Sequence, residues 1–245
     1  MPSKDPDGNP IKVIHNFQGI NEANNVEIYF LEDAQYETIA DETFMASSYT
    51  SIDGYVNNYS IKAIYLPETL TTIGNNAFKS TLIDNFDLKN VERIGIRAFE
   101  YSTAKIIALP ETLTDLGVGC FASCPNVAIE TIPSNIKKIP SQCFALCPKL
   151  KITQLGGPEF DELEIDYQAF ISAATSVTQL SILSPVTFTD DALSSGTKVF
   201  SSGYSKIASL TSYSYFGFAD ESNLVAGLFG SAPASLKTIT ILTDN

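Results

Sequence analysis

One arrangement of apolar and polar positions recurs along the chain. It reads apolar, two polar residues, Ile or Leu, Gly, two variable residues, Ala or Cys, and Phe. In five successive copies, the last six residues of this pattern are Ile73–Phe78, Ile94–Phe99, Leu116–Phe121, Ile139–Phe144 and Ile165–Phe170. Their phenylalanines are 21, 22, 23 and 26 residues apart. A repeat of this length is typical of a solenoid, whose coils bury their apolar sides against one another.

Each copy predicts two short strands and a tight turn or short helical segment. Alternating apolar residues such as Ile64–Pro67 and Ile107–Pro110 indicate the first strand, which ends at proline because proline cannot donate to a ladder. A second apolar pair, such as Leu70 and Ile73, indicates the second strand. Stacked coils then place equivalent residues about 4.8 Å apart. The phenylalanines expected to form one buried stack are Phe44, Phe78, Phe99, Phe121, Phe144 and Phe170, extended by Phe200 and Phe229.

Two further positions support this alignment. The glycine position holds Pro140 and Asp166 in two copies, so it favours close packing at a turn over a required positive φ. The residue before the last apolar position of the second strand alternates in charge, as Arg93, Asp115, Lys138 and Glu164 in successive copies. Opposite charges on neighbouring strands pair favourably, and we interpret this row as a solvated structural face.

The repeated pattern L-P-x-x-L-x-x-I-G-x-x-A-F-x-x-C-x-x-L resembles the BspA-like leucine-rich repeats of surface proteins from bacteria and some protists. The resemblance implies a right-handed, β-rich mixed α/β solenoid, for which the chain length suggests about eight or nine coils. We expect residues 1–27 to be an N-terminal segment or cap and residues 28–245 to be the repeat domain. Residues 61–150 are the most regular part, and residues 151–245 form longer, irregular coils.

Composition and charge limit which partners and which cellular locations are expected. The net charge of −13 argues against nucleic acid and anionic membrane surfaces, which select basic proteins. No apolar run approaches the roughly 20 residues of a membrane-spanning helix. The first ten residues have no signal-peptide core, so the chain is either cytosolic or a mature segment with an added methionine. The resemblance implies an extracellular or cell-surface location.

Few residues in the sequence indicate chemistry. The four cysteines, Cys120, Cys124, Cys143 and Cys147, fit buried thiols best, with an inter-coil disulfide or a zinc site as alternatives. The single histidine, His15, has no nucleophile motif near it and fits a surface residue. The segment from Asp5 to Asn9 favours a turn over a calcium loop, because its glycine and glutamate spacing is wrong for one. We therefore predict no enzyme, cofactor or metal site.

Two tyrosine-rich stretches are the candidate binding sites. Tyr49, Tyr55, Tyr59 and Tyr65 lie in the long step after Phe44, and Tyr213 and Tyr215 lie in a later long step. Insertions in repeat arrays often form the binding face, and exposed tyrosine suits interfaces. The alternative is that these side chains fill the wider core of longer coils.

These observations favour a non-catalytic binding or adhesion module in a larger surface protein. The partner would be a protein, or a glycan, on a host or neighbouring cell, as the resemblance implies. The alternative is a passive spacer domain.

Overall fold

Short parallel strands dominate the computed structural model, which describes residues 4–14, 26–31, 33–45, 60–194, 196 and 198–242. The strands are β1 (Val13–Ile14), β2 (Val26–Tyr29), β3 (Thr38–Ile39), β4 (Ser60–Tyr65), β5 (Thr72–Ile73), β6 (Leu82–Phe86), β7 (Arg93–Ile94), β8 (Asp115–Leu116), β9 (Lys138–Ile139), β10 (Gln154–Leu155), β11 (Leu163–Ile165), β12 (Gln179–Ile182), β13 (Val186–Phe188), β14 (Ser209–Ser212) and β15 (Thr238–Ile241). The helices are α1 (Asp190–Ser194) and α2 (Glu221–Phe229).

The strands form two sides of the solenoid. On the first-strand side, β2-β4-β6 make one sheet and β10-β12-β14-β15 make another. On the second-strand side the sheets are β1-β3-β5-β7-β8 and β13-β11-β9. Every pairing is parallel and joins equivalent residues of successive coils, such as Ile73 with Ile94. The repeat solenoid predicted from the sequence is confirmed.

The second-strand side is interrupted between β8 and β9, where Pro140 replaces the repeat glycine. In the preceding coils this position donates its N–H to the coil before it: Gly95 bonds the Ile73 carbonyl and Gly117 the Ile94 carbonyl, each at 2.8 Å. Proline has no N–H, so Pro140 cannot make the corresponding bond. The break between the two sheets thus coincides with the loss of one ladder bond at Pro140.

The first-strand side has a different interruption, because residues 103–110 and 126–133 contain no strand. The prediction of a strand at Ile107–Pro110 was therefore wrong. Ile106 and Leu109 are buried three residues apart, and both residues between them are exposed, which breaks the alternation of a strand. Ile107 consequently faces the solvent.

The predicted phenylalanine stack is confirmed along the whole described array. Successive rings lie with centroids 5.0 to 5.7 Å apart, in the order Phe44, Phe78, Phe99, Phe121, Phe144, Phe170, Phe200 and Phe229. All of these rings are buried. In the longer coils Tyr204 also fills the core, and its O–H donates to the Ile152 carbonyl at 3.1 Å. The stack holds the coils in register and leaves the outward positions free to vary.

The repeat glycine is required for close approach of the backbone. A Cβ at Gly117 would lie 2.4 Å from the carbonyl carbon of Gly95, and a Cβ at Gly95 would lie 2.6 Å from that of Gly74. The left-handed backbone instead occurs two residues later, at Gly119 (φ 62°) and Asn76 (φ 53°). This confirms close packing as the role of the glycine position.

Two of the three neighbouring charges predicted to pair on the second-strand side do so, and the step from Asp115 to Lys138 falls at the break between β8 and β9. Arg93 Nε lies 3.1 Å from Asp115 Oδ2, and Lys138 contacts Glu164. All four side chains are well exposed, so each pair contributes at most about 1 kcal/mol. This row is a solvated structural face.

Candidate functional site

The predicted tyrosine sites are only partly described by the structure. Tyr49, Tyr55 and Tyr59, like His15, lie outside the described residues. Tyr65 is the last residue of β4 and points outward from the first-strand side, where it is 47% exposed. Its position in the repeat puts it next to Tyr29 of β2 in one coil and Asp87 in the other.

Tyr29 and Tyr65 form an exposed aromatic pair. Their ring centroids are 4.5 Å apart and the rings are 10° from parallel. Tyr29 is 56% exposed. Because the two residues are directly in register on parallel strands, the rings stack along the axis of the array. The pair therefore presents rigid, amphipathic surface to solvent with little rotamer freedom left to lose.

Glu27 holds this pair in place. Its carboxylate accepts the Tyr29 O–H at 2.6 Å and lies 2.7 Å from Lys62 Nζ on the neighbouring strand. These hydrogen bonds, from Lys62 first and Tyr29 second, lower the pKa of Glu27. The hydrogen bond to Glu27, with a second contribution from Tyr65, raises the pKa of Tyr29. Tyr29 thus stays a neutral hydrogen-bond donor, oriented by a charged group at its base.

A trough of about 600 Å³ lies beside the tyrosine pair and spans three successive coils. Tyr65 forms one wall, and the exposed Ile107, 62% accessible, forms the opposite wall. The floor between them carries Asn85 and Asp87, whose short side chains leave the space open. The trough exists because one coil has short outward residues and the coils on either side have long ones.

Two lysines border the trough. Lys89 Nζ lies 2.7 Å from Glu68, which balances its charge. Lys105 has no carboxylate partner among the described residues. Asp87 accepts the backbone N–H of Lys89 at 3.0 Å and, within the same described part of the chain, makes no ion pair. The trough therefore combines aromatic and aliphatic walls with a carboxylate floor.

Comparison with known proteins identifies the repeat. The BspA-type leucine-rich repeat region matches in six copies, over residues 32–151 and 71–206. The chain belongs to this family. A leucine-rich repeat protein from Bacteroides ovatus has a similar crystal structure, with 18% identity and a TM-score of 0.39 over 98% of this chain and 82% of that one. The chain matches no curated protein. Leucine-rich repeat proteins are in general protein-interaction modules.

Within this BspA-type repeat domain, the second tyrosine stretch is largely structural. Tyr213 packs against the core, donates its O–H to the Val186 carbonyl and meets Phe216 edge to face at 5.4 Å. Tyr215 donates to Glu221 at 3.0 Å and is half-buried. Both follow β14, in a different sheet from Tyr65, so the structure does not bring the two stretches together.

Sequence reasoning missed Tyr29 and Ile107. Tyr29 lies before the regular repeats. It directly follows the buried Ile28, as Tyr65 follows the buried Ile64, and this is the one feature that marks it as an outward position. Ile107 was assigned to a strand, and its exposure depends on Ile106 taking the core position instead. Both were detectable only from the register of the coils.

The four cysteines of the BspA-type coils are buried, free thiols. Cys120 and Cys143 occupy the small position before Phe, with their sulfur atoms 3.4 Å apart. Cys124 and Cys147 occupy the position after it and donate to the carbonyls of Phe99 and Phe121 at 2.8 and 3.0 Å. Thr81 donates in the same way to Phe44 at 2.9 Å, so these thiols replace a hydroxyl group. No cluster suited to a metal ion occurs among the described residues.

Burial makes these thiols unreactive in the native state. Desolvation raises the pKa of Cys147 to about 12 from an ordinary value of 9.0, and raises that of Cys124 well above the same value. In reduced protein at pH 8, we expect a thiol reagent to label essentially none of the four cysteines before unfolding and all four after it. Rapid labelling of native protein would contradict the assignment.

The raised pKa of Cys147 also makes the stability of the chain depend on pH in the alkaline range. Between pH 9 and the native pKa of Cys147, about 12, the unfolded chain releases a thiol proton that the native chain retains. The free energy of unfolding should therefore fall as the pH rises through this window. A Cys147→Ser variant, measured by denaturant titration at each pH, should lose part of that fall.

The terminal segment from Asp5 to Asn9 forms the predicted turn. The Asp5 carboxylate accepts the backbone N–H groups of Asp7 and Asn9 at 3.0 and 2.8 Å, and the Asn9 side chain at 3.1 Å. Gly8 has φ 88°, which closes the turn. The hydrogen bonds within this segment account for the polar residues that resemble a calcium loop.

Within the described ranges, no helix has the length and apolar character needed to cross a bilayer.

Proposed function

We propose that this chain is a non-catalytic binding and adhesion module, secreted or displayed on a cell surface as part of a larger surface protein. Its partner is a protein, or a glycan, on a host or neighbouring cell, and it binds across Tyr29, Tyr65 and the adjoining trough. The stacked, exposed tyrosine pair beside that trough is the observation that carries the proposal.

The solenoid has no need of this pair for its own packing. Its core is complete without it, since the phenylalanine stack and the apolar rows of both strand sides are buried elsewhere. Tyr29, Tyr65 and Ile107 instead place aromatic and aliphatic surface in water on neighbouring coils. Clustered surface of this kind is typical of interaction sites, in which tyrosine is enriched.

The proposed domain organisation follows the repeat. Residues 1–27 form an N-terminal segment or cap, and residues 28–245 form the repeat domain. BspA-type repeats are typical of surface proteins, which supports an extracellular location. The charge of −13 disfavours nucleic acid and anionic lipid as partners.

The proposal predicts that a Tyr29→Ala/Tyr65→Ala double variant loses cell binding. Removing two central aromatic anchors should weaken binding about tenfold or more, because such residues supply most of the energy of an interface. The measurement is flow cytometry of fluorescently labelled protein on cultured epithelial cells. Protease or glycosidase treatment of the cells separates a protein partner from a glycan.

A matched control is Tyr101→Ala. Tyr101 is 58% exposed, like the tyrosine pair, but it lies in a tight turn after the Phe99 position. Its replacement should leave binding unchanged. Equal binding by the double variant and the wild type would refute the assignment of the surface, and no binding by the wild type would favour a passive spacer. Alanine at Tyr49, Tyr55 and Tyr59 tests their proposed contribution in the same assay.

A further inference from the structure

We propose that the trough receives an arginine side chain from the partner, whose guanidinium stacks on Tyr65 and pairs with Asp87. The inference rests on the proposed function and specifies the chemistry of its central contact. The partner would be a protein that presents this arginine from an exposed loop or extended segment.

The first argument is the available face of the Tyr65 ring. Tyr29, on the preceding coil, covers one face of that ring at 4.5 Å. Tyr65 also lines the trough, so its opposite face looks toward the following coil. There the outward position holds Asp87, whose short side chain does not continue the aromatic ladder. The ladder therefore has an open place directly above Asp87.

The second argument is the size of this open place. The two walls, Tyr65 and Ile107, lie on coils that are two apart, and the trough between them has a volume of about 600 Å³. This space admits a whole arginine side chain and the segment of chain that carries it, with the planar guanidinium laid against the Tyr65 ring.

The third argument is charge. An aromatic ring or proline in this place would cover the Asp87 carboxylate and remove its water without replacing the hydrogen bonds. A guanidinium stacks on aromatic faces and donates to a carboxylate at the same time. A lysine ammonium matches the charge, but it lacks the flat face and the paired donors. Arginine is thus the side chain that can both stack on the Tyr65 ring and pair with the Asp87 carboxylate.

The surrounding charges favour the same choice. The chain carries −13 overall, which attracts a basic partner over distance. Glu27 pairs with Lys62 and Glu68 pairs with Lys89, so two of the nearby cations are already neutralised. Within the described part of the chain, Asp87 is left with the Lys89 backbone N–H alone. Lys105, at the rim, is the cation that opposes an incoming arginine.

The test uses blocked pentapeptides with the sequence Gly-Ser-X-Ser-Gly, in which X is Arg, Lys, Tyr or Glu. Binding to the full chain is followed by NMR, from the Tyr65 ring and Ile107 methyl signals, at peptide concentrations up to about 10 mM, which suits the weak affinity of a single side chain. We expect the Arg peptide to move these signals and to bind about three- to tenfold more tightly than the Lys peptide, as stacking adds to charge.

Three variants make the result specific. Asp87→Asn should weaken the Arg peptide about threefold or more and remove its preference over the Tyr peptide, because the ion pair is lost. Tyr65→Leu should remove the preference for Arg over Lys. Lys105→Ala should strengthen binding of the Arg peptide, whereas it would weaken binding of an acidic ligand.

Two outcomes overturn the proposal. One is a stronger response to the Tyr or Glu peptide than to the Arg peptide, and the other is no shift of the Tyr65 and Ile107 signals at the highest Arg concentration. Neither outcome decides the proposed function, which depends on loss of cell binding in the Tyr29→Ala/Tyr65→Ala variant. If that variant loses binding while Asp87→Asn keeps it, the surface is the binding site and arginine is not its ligand.

Discussion

Replacing Phe121 by alanine is expected to lower the free energy of unfolding by about 3–5 kcal/mol, the cost of emptying a fully buried aromatic site. Phe121 lies inside the phenylalanine stack, 5.5 Å from Phe99 and 5.7 Å from Phe144, and is fully buried. Each ring contacts the equivalent ring of the next coil. The vacated volume cannot close, because the backbone of each coil is hydrogen-bonded to its neighbours: Phe121 N–H donates to the Cys143 carbonyl at 3.0 Å.

The measurement is guanidinium unfolding followed by far-ultraviolet circular dichroism. Phe121→Leu should lower the free energy of unfolding less than Phe121→Ala does. Leucine keeps most of the side-chain volume, and cores tolerate exchange between hydrophobic residues of similar size. Tyr101→Ala, at an exposed position, should change stability by no more than about 0.5 kcal/mol. If Phe121→Ala were as mild as Tyr101→Ala, the stack would not contribute substantially to stability.

The second large effect is expected at Gly117. A Cβ there would lie 2.4 Å from both the carbonyl carbon of Gly95 and the nitrogen of Ile96. These are backbone atoms, so the coils themselves must separate to accept it. Gly117→Ala should therefore destabilise the chain by about 1–3 kcal/mol or more, the usual cost of overpacking.

A nearby glycine provides the control, because its role is different. Gly119 has φ 62°, and its Cβ direction is open, with Arg97 Cγ nearest at 3.5 Å. Asn76 occupies the equivalent position with φ 53°. Asparagine tolerates this conformation, so Gly119→Asn should be nearly neutral. The same denaturant titration measures both variants, and a larger loss for Gly119→Asn than for Gly117→Ala would reverse the assignment of their roles.

The core was predictable because it is repeated. Every coil must present the same shape to the next, so Phe, the close-packed Gly and the alternating charges recur at fixed spacing. Their contacts, such as Phe78 to Phe99 at 5.2 Å and Arg93 to Asp115 at 3.1 Å, follow from alignment alone. The break between β8 and β9 also coincides with a visible change in the repeat, because Pro140 lacks the N–H that the repeat glycine donates.

The candidate binding surface was predictable only in part. Tyr65 was identified because it lies in a stretch where the spacing between successive repeat phenylalanines is unusually long. Tyr29 and Ile107 were not, because outward positions carry no repeated residue type. Tyr213 looked equivalent to Tyr65 in the sequence, yet it packs against the core and bonds the Val186 carbonyl.

The sequence by itself determined the repeat family, the stacked core and the positions where successive backbones touch, because each requirement is imposed again in every coil. Only the tertiary structure decided which variable residues become neighbours. Residues 29, 65, 87 and 107 lie far apart in the chain, and parallel stacking brings them onto one surface. The number of residues in a coil varies, but stacking alone sets which outward side chains adjoin. The short Asn85 and Asp87 come to lie between Tyr65 and Ile107 in this way, and their small size leaves the trough open.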